Sequence, residues 1–199
     1  MSKRLHRYGL FGLAVALLAV GGVWLKVVLS ESGRNGAVSF NLGGAFTLTA
    51  GDGRTVTEGS WPGHLLLISF GYRFCPDVCP STLQIMAAAL ALLGADGDRV
   101  QPLFISVDPE RDRPETLPAY VGLFHPRLIG LTGTSQQVAA VAKAFRVYYA
   151  KVAGPDPQSY SIDHSAYSFL ADDRGRVLNI FAHNARAADM ADAIRERLR

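Results

Sequence analysis

The stretch GYRFCPDVCPST, Gly71 to Thr82, holds Cys75 and Cys79, the two cysteines of the chain. Three residues separate them, and a proline follows each. Pro76 drives Cys75 out of the helical region, because its ring clashes with the backbone of the residue before it. Pro80 is tolerated at the first position of a helix, where its missing N–H has no partner to lose, but not in a helix interior. The stretch therefore reads as a turn followed by a helix that begins at Pro80. Upstream, His64–Phe70 (HLLLISF) is a continuous apolar run of strand length, the pattern of a strand buried on both faces. Both sulfurs then sit near a helix N-terminus, where the dipole favours a thiolate, and Arg73 adds positive charge nearby.

Similar punctuation runs outward from this centre. Phe46–Thr49 and Arg54–Thr57 flank Gly51-Asp52-Gly53, a hairpin pattern. Ser81–Leu93 is rich in Ala and Leu and stops at Gly94, as a helix does. Val100–Val107 is a second strand. Asp112 followed three residues later by Glu115 reads as a helix cap, with the helix running to about Phe124. Leu128–Leu131 is strand-like and Thr134–Phe145 helical. Ala166–Ala171 and Arg176–Phe181 bracket the turn Asp172–Gly175, and Arg186–Leu198 is a closing amphipathic helix. Early βαβ crossovers give parallel strands, and a late hairpin adds antiparallel ones. The expected class is α/β and thioredoxin-like: a central mixed sheet flanked by helices, with an extra N-terminal hairpin.

The first thirty residues have a different character. Lys3, Arg4 and Arg7 precede an uncharged apolar run, Tyr8–Leu25, which Val27-Val28-Leu29 extend beyond Lys26. A cleaved signal has an apolar region of about 7–15 residues, whereas a membrane span needs about 17–25. Length favours a retained single span with the N-terminus in the cytoplasm and the domain outside. The formal charge is +3, and those three basic residues account for it, since no acid lies before Glu31. The rest of the chain is balanced, so its basicity is a topology signal and gives no argument for nucleic acid. The expected layout is a cytoplasmic segment 1–7, an anchor 8–29, a polar tether 30–42 and a domain 43–199.

In an exported domain the two cysteines can be a staple, a redox pair or metal ligands. A disulfide around three residues constrains little of the unfolded chain, so a staple is the weakest reading. A thioredoxin-type catalyst spaces its cysteines C-x-x-C and sets a proline opposite them. Here the spacing is C-P-D-V-C, no proline follows Pro157, and Asp163-His164-Ser165 stands in that place. A peroxiredoxin-like peroxidase has a threonine three residues before its cysteine, where this chain has Tyr72. Two thiolates and the His164 imidazole make a soft S₂N set, suited to Cu(I) and able to hold Cu(II), whereas structural zinc asks for four ligands. The other histidines fit less well: His6 precedes the apolar run, His64 opens a strand, His125 ends a helix, and His183, the main rival, follows the last strand. Asp163 is an expected partner behind the His164 ring.

FGYRFCPDVCPSTL, FISVDPERDRPE and YSIDHSAYSFLAD, in that order and spacing, resemble the Sco/SenC family over roughly Gly43 to Leu198. The resemblance implies a thioredoxin-like fold that binds copper through Cys75, Cys79 and His164, the two cysteines forming a disulfide when oxidised. It implies delivery of copper to the binuclear centre of cytochrome c oxidase subunit II, or reduction of that subunit's cysteines. It also implies an anchor in the bacterial inner membrane with the domain facing the periplasm. Arg73 departs from the family pattern, which commonly has a threonine there, and adds a charge beside the site. The chain thus reads as a copper chaperone, with thiol–disulfide oxidoreductase and copper or redox sensor as alternatives. The segment Ser106–Asp112 receives no chemical role.

Overall fold

The computed structural model describes residues 42–155 and 159–199. The expected cytoplasmic segment, the anchor and all but the last residue of the tether lie outside the described residues. In chain order the elements are β1 (Thr47–Ala50), β2 (Thr55–Thr57), β3 (Leu65–Gly71), α1 (Val78–Leu93), β4 (Val100–Ser106), α2 (Leu117–Val121), β5 (Ile129–Thr132), α3 (Ser135–Ala144), β6 (Tyr149–Val152), β7 (Ser161–His164), β8 (Tyr167–Ala171), β9 (Val177–Ala182) and α4 (Ala187–Leu198).

Seven strands form one mixed sheet in the order β2-β1-β5-β4-β3-β8-β9. β3, β4 and β5 are parallel, as the βα alternation predicts; β1, β8 and β9 run antiparallel to their neighbours. β3 is central because all seven of its residues are buried. Its side chains alternate, Leu66, Ile68 and Phe70 packing with Val138, Val141 and Phe145, and Leu65 and Leu67 with Leu83, Met86, Met190 and Ile194. Each such side chain contributes about 1.5–3 kcal/mol by leaving water. The fold is the expected thioredoxin-like sandwich, including the N-terminal hairpin β1–β2 with register Leu48 to Val56.

Three local expectations are corrected. α1 begins at Val78, two residues before Pro80, so Cys79 lies inside its first turn. The first four N–H groups of a helix have no intrahelical acceptor, so Pro80 costs nothing there. Asp112 caps no helix: Pro114–Thr116 is a 3₁₀ turn with Arg113 at its N-cap position, and α2 is five residues long. β6 and β7, unforeseen, form a separate two-stranded antiparallel ribbon. The stretch Val78–Arg99 is long and apolar enough to cross a membrane. Its Leu83, Met86, Leu90 and Leu93 are buried in the domain core, which identifies a core helix.

Candidate metal centre

β3 and β4 run parallel to a matched end, Gly71 opposite Ser106. The cysteine turn leaves from the first strand and the Ser106–Asp112 segment from the second. This is the carboxyl end of parallel strands, the usual place for sites in α/β sheets. Cys75 N–H donates to the Tyr72 carbonyl at 3.2 Å and closes the turn. Cys79 N–H, in the first turn of α1, donates to Cys75 Sγ at 3.4 Å. A helix N-terminal N–H thus falls on one sulfur, as the paired prolines led one to expect. The buried Cys79 sulfur packs against the end of β3. A β-carbon on Gly71 would lie 2.6 Å from it and 3.0 Å from the Phe104 ring, so only glycine leaves it room.

His164 reaches the same place from the ribbon. It ends β7 opposite Tyr149 of β6. Ser165 N–H donates to the Tyr148 carbonyl at 2.9 Å, and Tyr148 N–H donates to Ser165 Oγ at 3.1 Å, which fixes the backbone around the histidine. The His164 Nδ1 lies 3.1 Å from the Ser165 carbonyl. A carbonyl only accepts, so Nδ1 carries the proton and Nε2 is the atom turned to the sulfurs. Nε2 lies 3.3 Å from Cys79 Sγ, and Tyr72 packs edge-on to the ring at 6.0 Å. The two sulfurs and the ring nitrogen all lie within 4.8 Å of one another.

The sulfurs differ in charge state. The hydrogen bond from the Cys79 thiol pulls the Cys75 pKa down to about 4, and burial opposes this. Holding the shared proton and being buried push the Cys79 thiol up. The free protein therefore carries one thiolate, on half-exposed Cys75, and one thiol, on buried Cys79.

Behind the cysteine turn stands a buried carboxylate. Asp112 is fully buried and accepts from Arg73 N–H at 3.0 Å, from Arg73 Nε at 3.1 Å and from Ser106 Oγ at 2.7 Å. Arg73 is therefore committed to Asp112, and its guanidinium lies 5.1 Å from the Phe74 ring centre.

A family model described as SCO1/SenC matches residues 35–199. The chain belongs to the SCO1/SenC family. It is 39% identical over 156 residues to the protein named sco1 of Schizosaccharomyces pombe, covering 77% of this chain. It spans only 59% of that relative's length. The structure of Bradyrhizobium japonicum ScoI with copper bound superposes with a TM-score of 0.72 at 41% identity, covering 78% of this chain and 98% of that one. The structure that identified a disulfide switch in BsSco, a member of the Sco family of cytochrome c oxidase assembly proteins, superposes at 0.61 with 25% identity, covering 77% and 91%.

As an SCO1/SenC member the chain places its predicted residues unevenly. Cys75, Cys79 and His164 meet. Asp163 does not engage the ring: it is exposed, and the two-residue period of β7 puts it on the face opposite His164. His64 contacts the Pro62 carbonyl, His125 accepts from Arg127 N–H, and His183 sits in an exposed turn, so none of the three belongs to the cluster. His6 is outside the described residues. Sequence reasoning missed Gly71, Tyr72, Asp108, Arg111 and Asp112. The signal at hand was the run of charges in Ser106–Asp112 directly after an apolar strand, in a chain whose charged content is only 19%. Chemically, two sulfurs and an imidazole nitrogen, half open to solvent at Cys75, fit a soft ion of low coordination number.

Proposed function

We propose that this protein is a membrane-anchored copper chaperone that binds copper through Cys75 Sγ, Cys79 Sγ and His164 Nε2 and passes it to cytochrome c oxidase, with subunit II as recipient. The observation that carries the reading is the convergence of these three donors, brought within 4.8 Å from the turn and helix start after β3 and from the end of the separate β6–β7 ribbon. Binding deprotonates Cys79 as copper replaces the shared proton, which makes loading pH-dependent. A three-ligand site leaves one side open, and an entering thiolate of the recipient displaces the ligands one at a time. The layout that serves this is the anchor 8–29, the tether 30–42 and the domain 43–199 on the periplasmic side of a bacterial inner membrane. Its support is the order of charge and apolar residues at the N-terminus.

The unequal sulfurs support a second reading, a thiol–disulfide reductant of the recipient's cysteines. Cys75 thiolate attacks one sulfur of the recipient's disulfide, and Cys79 resolves the mixed disulfide. The Cys75–Cys79 bond forms, the recipient's bond breaks, and two electrons pass to its thiols. The test is copper stoichiometry and affinity of the reduced protein. One equivalent is expected, with affinity falling roughly tenfold or more in His164→Ala. Unchanged affinity in that variant would sink the three-ligand site, and turnover of a disulfide substrate without metal would favour the reductant.

A further inference from the structure

The two halves of the candidate site belong to different sheets. The cysteine turn extends the seven-stranded sheet, and His164 ends a ribbon that shares no ladder with it. Ser165 and Ala166 link the His164 end of the ribbon to β8, and something besides strand pairing must hold its other end, at Tyr160. The Ser106–Asp112 turn, leaving β4 beside the cysteine turn, touches both halves. Toward the cysteines, Asp112 accepts from the backbone and Nε of Arg73, and the Arg111 carbonyl accepts from Arg73 Nη2 at 3.4 Å. Toward the ribbon, Tyr160, just before β7, donates its hydroxyl to Asp108 Oδ1 at 2.7 Å. Arg111 donates from Nη1 to the Tyr160 carbonyl at 2.9 Å and stacks on the Tyr160 ring at 3.6 Å. Lys151 of β6 pairs with Glu110 at 2.5 Å.

The turn is cross-linked inside by hydrogen bonds and an ion pair. Asp108 and Asp112 are fully buried. Ser106 Oγ joins them, accepting from Asp108 N–H at 3.0 Å and donating to Asp112. Arg111 Nε donates to Asp108 Oδ2 at 2.5 Å. Arg111 Nη2 is buried with no hydrogen-bond acceptor among the described residues. Its guanidinium instead faces rings on both sides: Tyr160 of the ribbon approach, Phe74 at 4.8 Å and Tyr72 at 5.7 Å. Tyr72 in turn packs on His164.

We propose that the Ser106–Asp112 turn is a clamp that sets the distance between the cysteine pair and His164, with Asp108 and Arg111 as positioning residues that act through Tyr160. The proposal rests on the three-ligand reading above. A largely buried polar network suits the task because its geometry is more directional than apolar packing. Losing a strut loosens the Tyr160 end of β7, and the displacement is passed along the same short strand to His164.

Two variants of the full chain test it: Tyr160→Phe, which keeps the ring and removes the bond to Asp108, and Arg111→Lys, which keeps the charge and removes the fork and the stack. Each is expected to weaken Cu(I) binding roughly tenfold, the low end for partners behind metal ligands, in competition with a chromogenic chelator. The Cu(II)-loaded form is expected to lose imidazole nitrogen hyperfine coupling in its paramagnetic resonance spectrum. In a His164→Ala background neither change is expected to weaken binding further, since the clamp acts through that ring. Equal weakening with and without His164, or wild-type affinity and coupling in both variants, overturns the clamp. If the wild-type chain binds no copper, the chaperone reading fails separately. The clamp is then read from the metal-free protein, where the His164 ring resonances are expected to move to solvent-exposed values in both variants. Ring resonances that stay in place overturn it there too.

Discussion

Gly71 shows how an absent side chain makes a site. Its place opposite the Cys79 sulfur means that Gly71→Ala forces that sulfur away by roughly an ångström to reach ordinary contact distance, and crowds the Phe104 ring as well. Overpacking of this kind costs about 1–3 kcal/mol, so Gly71→Ala is expected to fold with a lowered urea midpoint. It is also expected to lose copper affinity, because the 3.3 Å approach of Cys79 to His164 depends on that sulfur's position. Wild-type affinity in a folded variant would show that the site adapts. The charge on Cys75 gives a second residue-scale expectation. Its folded pKa, about 4, lies below its reference value of 9.0. A group depressed in the native state is protonated in the unfolded chain and not in the folded one between those values. Its stabilising contribution is present above pH 9 and is lost as the pH falls toward 4. Cys79, raised, acts with the opposite sign only above its own reference value of 9.0. Single-site alkylation at Cys75 should therefore follow the thiolate, holding nearly constant from pH 8 down to about 5 and falling off near 4. A rate that drops tenfold per pH unit below 8 would mean an ordinary thiol.

At the scale of elements, the Ser106–Asp112 turn is where local reading and tertiary structure part. Asp112 and Glu115 have the spacing of a capping box, and that pattern is indifferent to Arg73, 39 residues away, which claims the carboxylate. Removing one partner of a buried ion pair leaves the other charge uncompensated. Arg73→Ala is therefore expected to lower stability by about 3 kcal/mol, read from the urea midpoint, because the fully buried Asp112 carboxylate keeps only Ser106 and a backbone N–H. Asp112→Ala is expected to cost less, because the partly exposed Arg73 guanidinium turns to water. A smaller loss in Arg73→Ala than in Asp112→Ala would mean that Ser106 and the backbone N–H satisfy the carboxylate without the guanidinium. The central elements were legible because their signals are local. β3 reads as HLLLISF because both faces are buried, and α1 announces itself through Pro80 and Gly94. The ribbon was not, since Tyr149–Val152 and Ser161–His164 are largely solvent-facing and show no run of apolar residues. The candidate ligands were legible as residue types at a spacing. The contacts behind them were hidden, because Asp108 and Arg111 reach Tyr160 only across separations of about fifty residues.

For the molecule as a whole, the proposed three-donor site would couple copper binding to folding through sequence distance. Cys75 and Cys79 stay four positions apart in the unfolded chain, close enough to share a metal there. His164 is 85 positions from Cys79 and joins them only in the folded state. The stabilisation from loading is therefore the part of the affinity that needs the fold, with the imidazole as its main source. At free copper a hundredfold above the dissociation constant, a ligand specific for the native state adds about 2.7 kcal/mol. For a domain of this size that corresponds to a rise in Tm of about 5–10 °C. Calorimetry of the reduced chain is expected to show a shift at or below this range, because binding by the unfolded cysteine pair subtracts from it. His164→Ala is expected to lose most of the shift while retaining cysteine-dependent binding. The oxidised chain, with its two sulfurs joined, is expected to show none. An equal shift in His164→Ala would mean that the cysteine pair alone carries the coupling and that the ribbon's approach serves another end.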